Sequence, residues 1–141
     1  MEYKFNVPVY GIIGNEKYQC TIEWRKGKFI ADEPVTSGGK DLGPDPYSLL
    51  LSSLASCTLI TMRTFIDRKG WDIPQIAVNA NYYQETKDEK TTTIIDRNLI
   101  FLSPINEEQK LGLKEIAKHC PISKILENNI KIRTFFNSAF D

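Results

Sequence analysis

Cys57 and Cys120 are the residues of this 141-residue chain whose type and surroundings fit chemistry. Cys57 stands in DPYSLLLSSLASCTLITMRTF (45–65), where no charged side chain occurs from Tyr47 to Met62. On a helix, Ser53 and Thr61 fall one turn away at i±4 and Leu54 and Ile60 at i±3, with Leu50 and Thr64 completing the face. Two hydroxyls then flank a sulfur against an apolar wall. Hydrogen bonds from them would lower the thiol pKa, and the thiolate is the nucleophile. The other reading is a cysteine that only fills space in a core. Cys120 comes after Leu113, Ile116 and Ala117 at i, i+3, i+4 and i+7, so it turns toward the core at a helix end set by Pro121. A mid-helix thiol and a second thiol at a helix terminus form the pattern of an attacking sulfur and a resolving sulfur. That chemistry requires the two helices to pack side by side.

The remaining reactive side chains offer less. Cys20 shares a strand face with Tyr18, Ile22 and Trp24 and reads as packing. His119, the single histidine, neighbours Cys120 in sequence but points elsewhere on a helix, so an exposed side chain is expected. One histidine and no close cysteine pair give no zinc motif. GGKDLG (38–43) is glycine-rich but lacks the lysine-serine/threonine ending of a phosphate loop. Arg97 shares a face with Ile95, Leu99 and Phe101, and either snorkels at a sheet rim or reaches across to another chain. Arg63 and Arg68 read as solvated charges.

The elements that must position the sulfurs are predicted from local signals. Residues 3–10 form a strand with Pro8 at an edge position. Residues 17–24 and 28–32 form a hairpin around the turn 25–27. Three prolines and three glycines make 34–46 a loop. Asp45 caps a helix with Pro46 in its first position, running to about Lys69 and stopping at Gly70. Residues 75–84 and 91–102 are strands around the polar turn ETKDEK. Asn106 caps a second helix that Pro121 ends, PISKILEN adds a further turn, and 130–136 is a last strand. Hairpins with two main helices give an α+β fold with mainly antiparallel sheet.

Composition narrows the rest. Eighteen lysines and arginines balance eighteen aspartates and glutamates, which removes any electrostatic reason for nucleic acid or an acidic membrane as partner. The uncharged run of 16 residues is short of the ~20 that span a bilayer, and six of them are serine or threonine. A helix bare of charge on every side needs cover from its own sheet or from a partner chain. MEYKFNVPVYG has no basic segment followed by an apolar run, and three scattered cysteines are no disulfide framework. A cytoplasmic chain with reduced thiols is expected.

GPDPYSLLLSSLASCTLITMRTFIDRKGW (43–71) resembles the first-cysteine helix of the OsmC/Ohr family, and IAKHCPISKIL (116–126) resembles its second-cysteine segment. ADEP (31–34) and GGKDLGP (38–44) resemble the loop of one branch of OsmC-like proteins. The resemblance spans roughly residues 17–135. It implies one OsmC-like domain over 1–141, with a hairpin region 1–34, a loop and central helix 35–70, and a hairpin, helix and strand region 75–136. It implies antiparallel sheets wrapped around long central helices in an intertwined homodimer, each site near the subunit interface. In function it implies a thiol-dependent peroxidase for organic hydroperoxides and, less well, hydrogen peroxide. Cys57 matches the peroxidatic cysteine and Cys120 the resolving one. An external dithiol recycles the disulfide, and no metal, flavin or haem is needed.

The family's hydroperoxide reductases use an arginine of the early hairpin, and RKGK (25–28) puts Arg25 at that position. Arg25 is either a stabiliser of thiolate and peroxide or a solvated hairpin charge. Those reductases place a glutamate just after the helix-starting proline, where this chain has Tyr47 and Ser48. Asp32 or Glu33 would have to replace it. The departure keeps open a second reading, a catalytically weak dimer that binds a small apolar ligand at its interface with Cys57 as wall. A hotdog-like acyl-thioester enzyme ranks last, since no carboxylate lies between Tyr47 and Met62.

Overall fold

In a computed structural model of the protein, which describes residues 2–138, the chain divides at Ser52 into two compact units. The first holds a three-stranded antiparallel sheet, β1 (Tyr10–Ile13), β2 (Cys20–Trp24) and β3 (Gly27–Ala31), in that order. The β2–β3 hairpin closes with Trp24 opposite Gly27 and Cys20 opposite Ala31. The strand expected over 3–10 starts only at Tyr10. Pro8 has no N–H to give a ladder, and pairing begins beyond it, Tyr10 against Glu23.

A single 3₁₀ turn, Val35–Ser37, opens the glycine-rich loop. Asp32 organises this loop from a buried position. Its carboxylate accepts the backbone N–H groups of Glu33 at 2.8 Å, Lys40 at 3.3 Å and Leu42 at 3.2 Å. Burial alone would raise its pKa, but these three bonds and the Lys40 charge outweigh burial and lower it. Gly43 is required by close approach, since a Cβ there would stand 1.8 Å from the Ile30 carbonyl oxygen.

Helix α1 spans Pro46–Lys69. Asp45 caps it: its carboxylate accepts from Tyr47 N at 3.1 Å and Ser48 N at 3.4 Å, and takes the Ser48 hydroxyl proton in a further hydrogen bond. The helix stops at Gly70, whose φ is 67°. Gly70 N bonds to Asp67 O and Trp71 N to Ile66 O, each at 3.2 Å, which satisfies the last carbonyls. By length and composition α1 is long and apolar enough to cross a membrane. The count of uncharged residues alone understated this. Yet Leu54, Thr58, Met62 and Ile66 recur every fourth residue and are buried, which is the stripe of a core helix.

The second unit carries α1 from Ser53 onward, the hairpin β4 (Ile76–Lys87) and β5 (Lys90–Phe101), α2 (Glu107–Ala117) and α3 (Pro121–Glu127). Its core joins Met62 and Ile66 of α1 to Ile73 and to Leu113 and Ala117 of α2. Val78, Leu99 and Phe101 of the hairpin pack on that cluster, as do Phe65 and Trp71, whose rings meet edge to face at 5.5 Å. Each such buried aliphatic side chain is worth about 1.5–3 kcal/mol. Asn106 caps α2 in a reciprocal box with Gln109. The turn between β4 and β5 is only Asp88-Glu89, both at positive φ, rather than six residues. Arg63 is not a solvated charge: its guanidinium caps the carbonyls of Ile73 and Pro74, both at 2.9 Å. Residues 130–136 form no strand; a strand needs a partner, and among the described residues this segment has none, leaving Ile132 and Phe136 exposed.

Candidate active site

The packing of α1 against the α2–α3 corner brings Cys57 and Cys120 close enough for each to shift the ionisation of the other. Both are free thiols. Cys57 is half-buried, while Cys120 has no exposed surface. The helix expected to include Cys120 ends at Ala117, and Cys120 instead caps α3 with Pro121 in its first position. A tight turn, His119 N to Ile116 O at 2.9 Å and Cys120 N to Ala117 O at 3.3 Å, keeps the predicted apolar face continuous into Cys120. Pro121 then starts a new helix because its first position asks for no amide proton.

That cap sets the local chemistry. Ser123 N, three residues on, donates to Cys120 Sγ at 3.4 Å. The Ile122 amide and Thr61, one helical turn from Cys57, favour the Cys57 thiolate. The hydroxyls of Ser123 and Thr58 favour that of Cys120.

The two thiols are pushed in opposite directions. Burial raises Cys57 above its ordinary 9.0, the bonds from Ile122 and Thr61 oppose this, and the neighbouring Cys120 pushes further up. Burial also works against the Cys120 thiolate. The Ser123 hydroxyl and amide, with Cys57 and Thr58, outweigh it and bring Cys120 down to about 7. The expected depression of Cys57 by hydroxyls is thus outweighed by burial and by the neighbouring sulfur.

Thr58 and Ser123 were not singled out by type and spacing. Signals for both exist. Thr58 is the polar member of the buried stripe on α1, fully buried, and a buried hydroxyl needs partners. Ser123 is the third residue of a helix capped by Cys120, the position whose N–H a capping side chain receives. Both hydroxyls accept from Arg97 Nη1 on β5, at 3.0 Å for Thr58 and 2.6 Å for Ser123. Arg97 therefore lies in the site rather than at a rim. Beside Arg97 and Ser123 an open cleft of about 400 Å³ is lined on its apolar side by Leu54, Ile95 and Leu126.

Arg25 sits at the turn of the β2–β3 hairpin in the first unit, its guanidinium over the Trp24 ring at 5.2 Å. Asp32, considered as a stand-in for the missing glutamate, is committed to the loop amides. His119 is exposed, with Nε2 at 4.0 Å from Glu115. Cys20 is half-buried on β2.

Known structures share this arrangement of elements. An OsmC-like protein from Mycoplasma pneumoniae superposes with a TM-score of 0.71 at 23% identity, over 89% of each chain. An organic hydroperoxide resistance protein OsmC from Legionella pneumophila gives 0.64 at 15%, over 89% of this chain and 93% of the other. An organic hydroperoxide resistance protein from Elizabethkingia anophelis gives 0.65 at 16%, over 93% and 94%. No curated protein matches the chain. The family described as OsmC-like protein matches residues 38–135, well over half the chain and both cysteine segments, and the protein belongs to that family.

Proposed function

We propose that the protein is a thiol-dependent peroxidase that reduces organic hydroperoxides, and hydrogen peroxide less well. The observation that carries this reading is the proximity of Cys57 and Cys120, each shifting the ionisation of the other, with the Ser123 amide directed at Cys120. Cys57, the more exposed of the two, is the peroxidatic cysteine. Its thiolate takes the terminal oxygen of ROOH as the O–O bond breaks, and the departing alkoxide picks up a proton from water and leaves as ROH. Cys57 becomes a sulfenic acid. The Cys120 sulfur attacks that sulfur, its own proton joins the departing hydroxide as water, and the disulfide forms. An external dithiol then exchanges with the disulfide and returns both thiols. The two electrons given to the peroxide come from the thiols, so the cycle asks for no further cofactor.

Arg25 is proposed to orient peroxide or thiolate, on the strength of its match to the family's hairpin arginine. The reading includes a single OsmC-like domain, since the family match runs across the division at Ser52. It includes a cytoplasmic homodimer in which a partner covers the open side of α1, where Ile60 is 67% exposed and Leu50 is exposed too.

The test is hydroperoxide consumption. Reduced protein is expected to turn over cumene or t-butyl hydroperoxide with a dithiol, Cys57→Ser to lose turnover, and Cys120→Ser to stop at an over-oxidisable sulfenate. A folded protein that consumes no hydroperoxide with any dithiol overturns the reading. One observation favours a second reading, a dimer that binds an apolar ligand with Cys57 as wall: burial raises the Cys57 thiol. Slow, ordinary alkylation of Cys57 at neutral pH supports that alternative, and fast alkylation removes it.

A further inference from the structure

Arg97 of β5 lines two clefts that differ in charge. The one beside Ser123 also carries Asp96 and Glu127. The other, about 330 Å³ between β5 and α2, carries Lys110, Lys114 and Lys118 and no carboxylate. These lysines stand four apart and share one face of α2 and its C-cap. Lys118 is paired with Glu115 at 3.3 Å, whereas Lys110 and Lys114 have no ion pair among the described residues. In a chain of zero net charge this is a local excess of cations. Leu99, Phe101 and Ala117 give the same cleft an apolar floor.

The guanidinium is set in place before any ligand arrives. Arg97 Nη1 donates to Thr58 Oγ1 at 3.0 Å and to Ser123 Oγ at 2.6 Å, both buried hydroxyls. Thr58 gives its own proton to the Leu54 carbonyl at 2.7 Å, which leaves its oxygen to accept. The N–H groups of Nε and Nη2 have no partner among the described residues. A half-buried cation held only by neutral oxygens lacks the counter-charge that such a group needs.

We propose that the cleft between β5 and α2 is a binding site for a small organic carboxylate with an apolar body. The carboxylate meets Nε and Nη2 of Arg97, a fork whose N–H groups match its two oxygens. The body lies on Leu99, Phe101 and Ala117, and Lys110 and Lys114 supply the field that draws the anion in. Asp96 and Glu127 repel the same ligand from the other cleft, so the site falls on the lysine side. An inorganic anion leaves the apolar floor wet, and a neutral ligand leaves the guanidinium without its counter-charge. The two features together name the class. Fixing Arg97 beforehand reduces the ordering cost of binding. The site adjoins the thiols, because Ser123, which holds Arg97, gives its amide to Cys120 Sγ at 3.4 Å. It requires no step of the redox cycle and does not rest on the peroxidase reading.

The experiment is an amide-resolved NMR titration of reduced, ¹⁵N-labelled protein with octanoate. Inorganic phosphate serves as a charge without a body and octanol as a body without a charge. Octanoate is expected to shift the amides of 97–101 and 110–118 saturably, and phosphate and octanol to bind at least about tenfold more weakly. Arg97→Met is expected to weaken octanoate by about tenfold or more, the loss of a charge-assisted contact, and Arg97→Lys to restore part of the affinity through charge alone. The double variant Lys110→Met, Lys114→Met is expected to weaken it about two- to fivefold and to flatten its dependence on salt. Shifts that do not saturate or that centre elsewhere, phosphate or octanol binding as tightly as octanoate, or an unchanged affinity in folded Arg97→Met overturns the proposal. Should Arg97→Met not fold, the double lysine variant decides it, since both positions are exposed, an unchanged affinity again being the contrary result. Octanoate has no O–O bond, so the inference and the peroxidase activity stand or fall separately.

Discussion

At the scale of residues, the second cysteine differs from the first because of the three residues after it. Cys-Pro-Ile-Ser makes the sulfur a helix cap, and the cap hands it the amide of Ser123. The order of the cysteines and the inward turn of Cys120 were legible from apolar spacing. The surroundings of Cys120 were not, because Thr58, Ser123 and Arg97 approach one another from three different elements. The consequence is measurable. Cys120, lowered to about 7 from 9.0, binds its proton less tightly folded than unfolded. Its contribution to stability is absent below pH 7, grows as pH rises toward 9, and is complete above that. Cys57, raised above 9.0, acts in the opposite sense once pH passes 9. Thermal unfolding of reduced wild type is therefore expected to gain about 1–2 kcal/mol between pH 7 and 9 relative to Cys120→Ser. A flat difference across that window contradicts the assignment.

At the scale of elements, α1 was readable to the residue, since Asp45, Pro46 and Gly70 are local signals for its start and stop. The turn of the β2–β3 hairpin and the Asn106 start of α2 were readable for the same reason, whereas α2 ends at Ala117, three residues before the expected Cys120. Two strands were not. The N-terminal one lies beyond Pro8, and 130–136 lacks a partner strand among the described residues, a non-local condition that alternation does not report. The β4–β5 turn was placed but overestimated, because Lys87 and Lys90 look like turn residues yet pair across it. Asp88 and Glu89 there hold φ of 50° and 63°, the left-handed region of a two-residue hairpin turn. Glycine adopts it without the Cβ penalty. Glu89→Gly is expected to stabilise the protein by about 1 kcal/mol in denaturant unfolding. Destabilisation would mean that the glutamate makes a compensating interaction.

At the scale of the whole molecule, the zero net charge and apolar α1 pointed to a protein partner rather than nucleic acid. The exposed Ile60 on α1, and Ile132 beyond α3 at 87% exposure, leave apolar surface for a second copy to cover. Light scattering is expected to give a dimer, and Ile60→Glu to weaken association by at least about tenfold, the loss of one buried isoleucine. A monomeric wild type contradicts the dimer. Below that assembly, the account rests on two sulfurs far apart in sequence acting as one redox unit. Mass spectrometry of the reduced protein after one equivalent of organic hydroperoxide tests this most directly. The account predicts a single cross-linked peptide pair joining Cys57 to Cys120. Cys57 driven to sulfinic acid with Cys120 still a free thiol, or no oxidation of either, would contradict it.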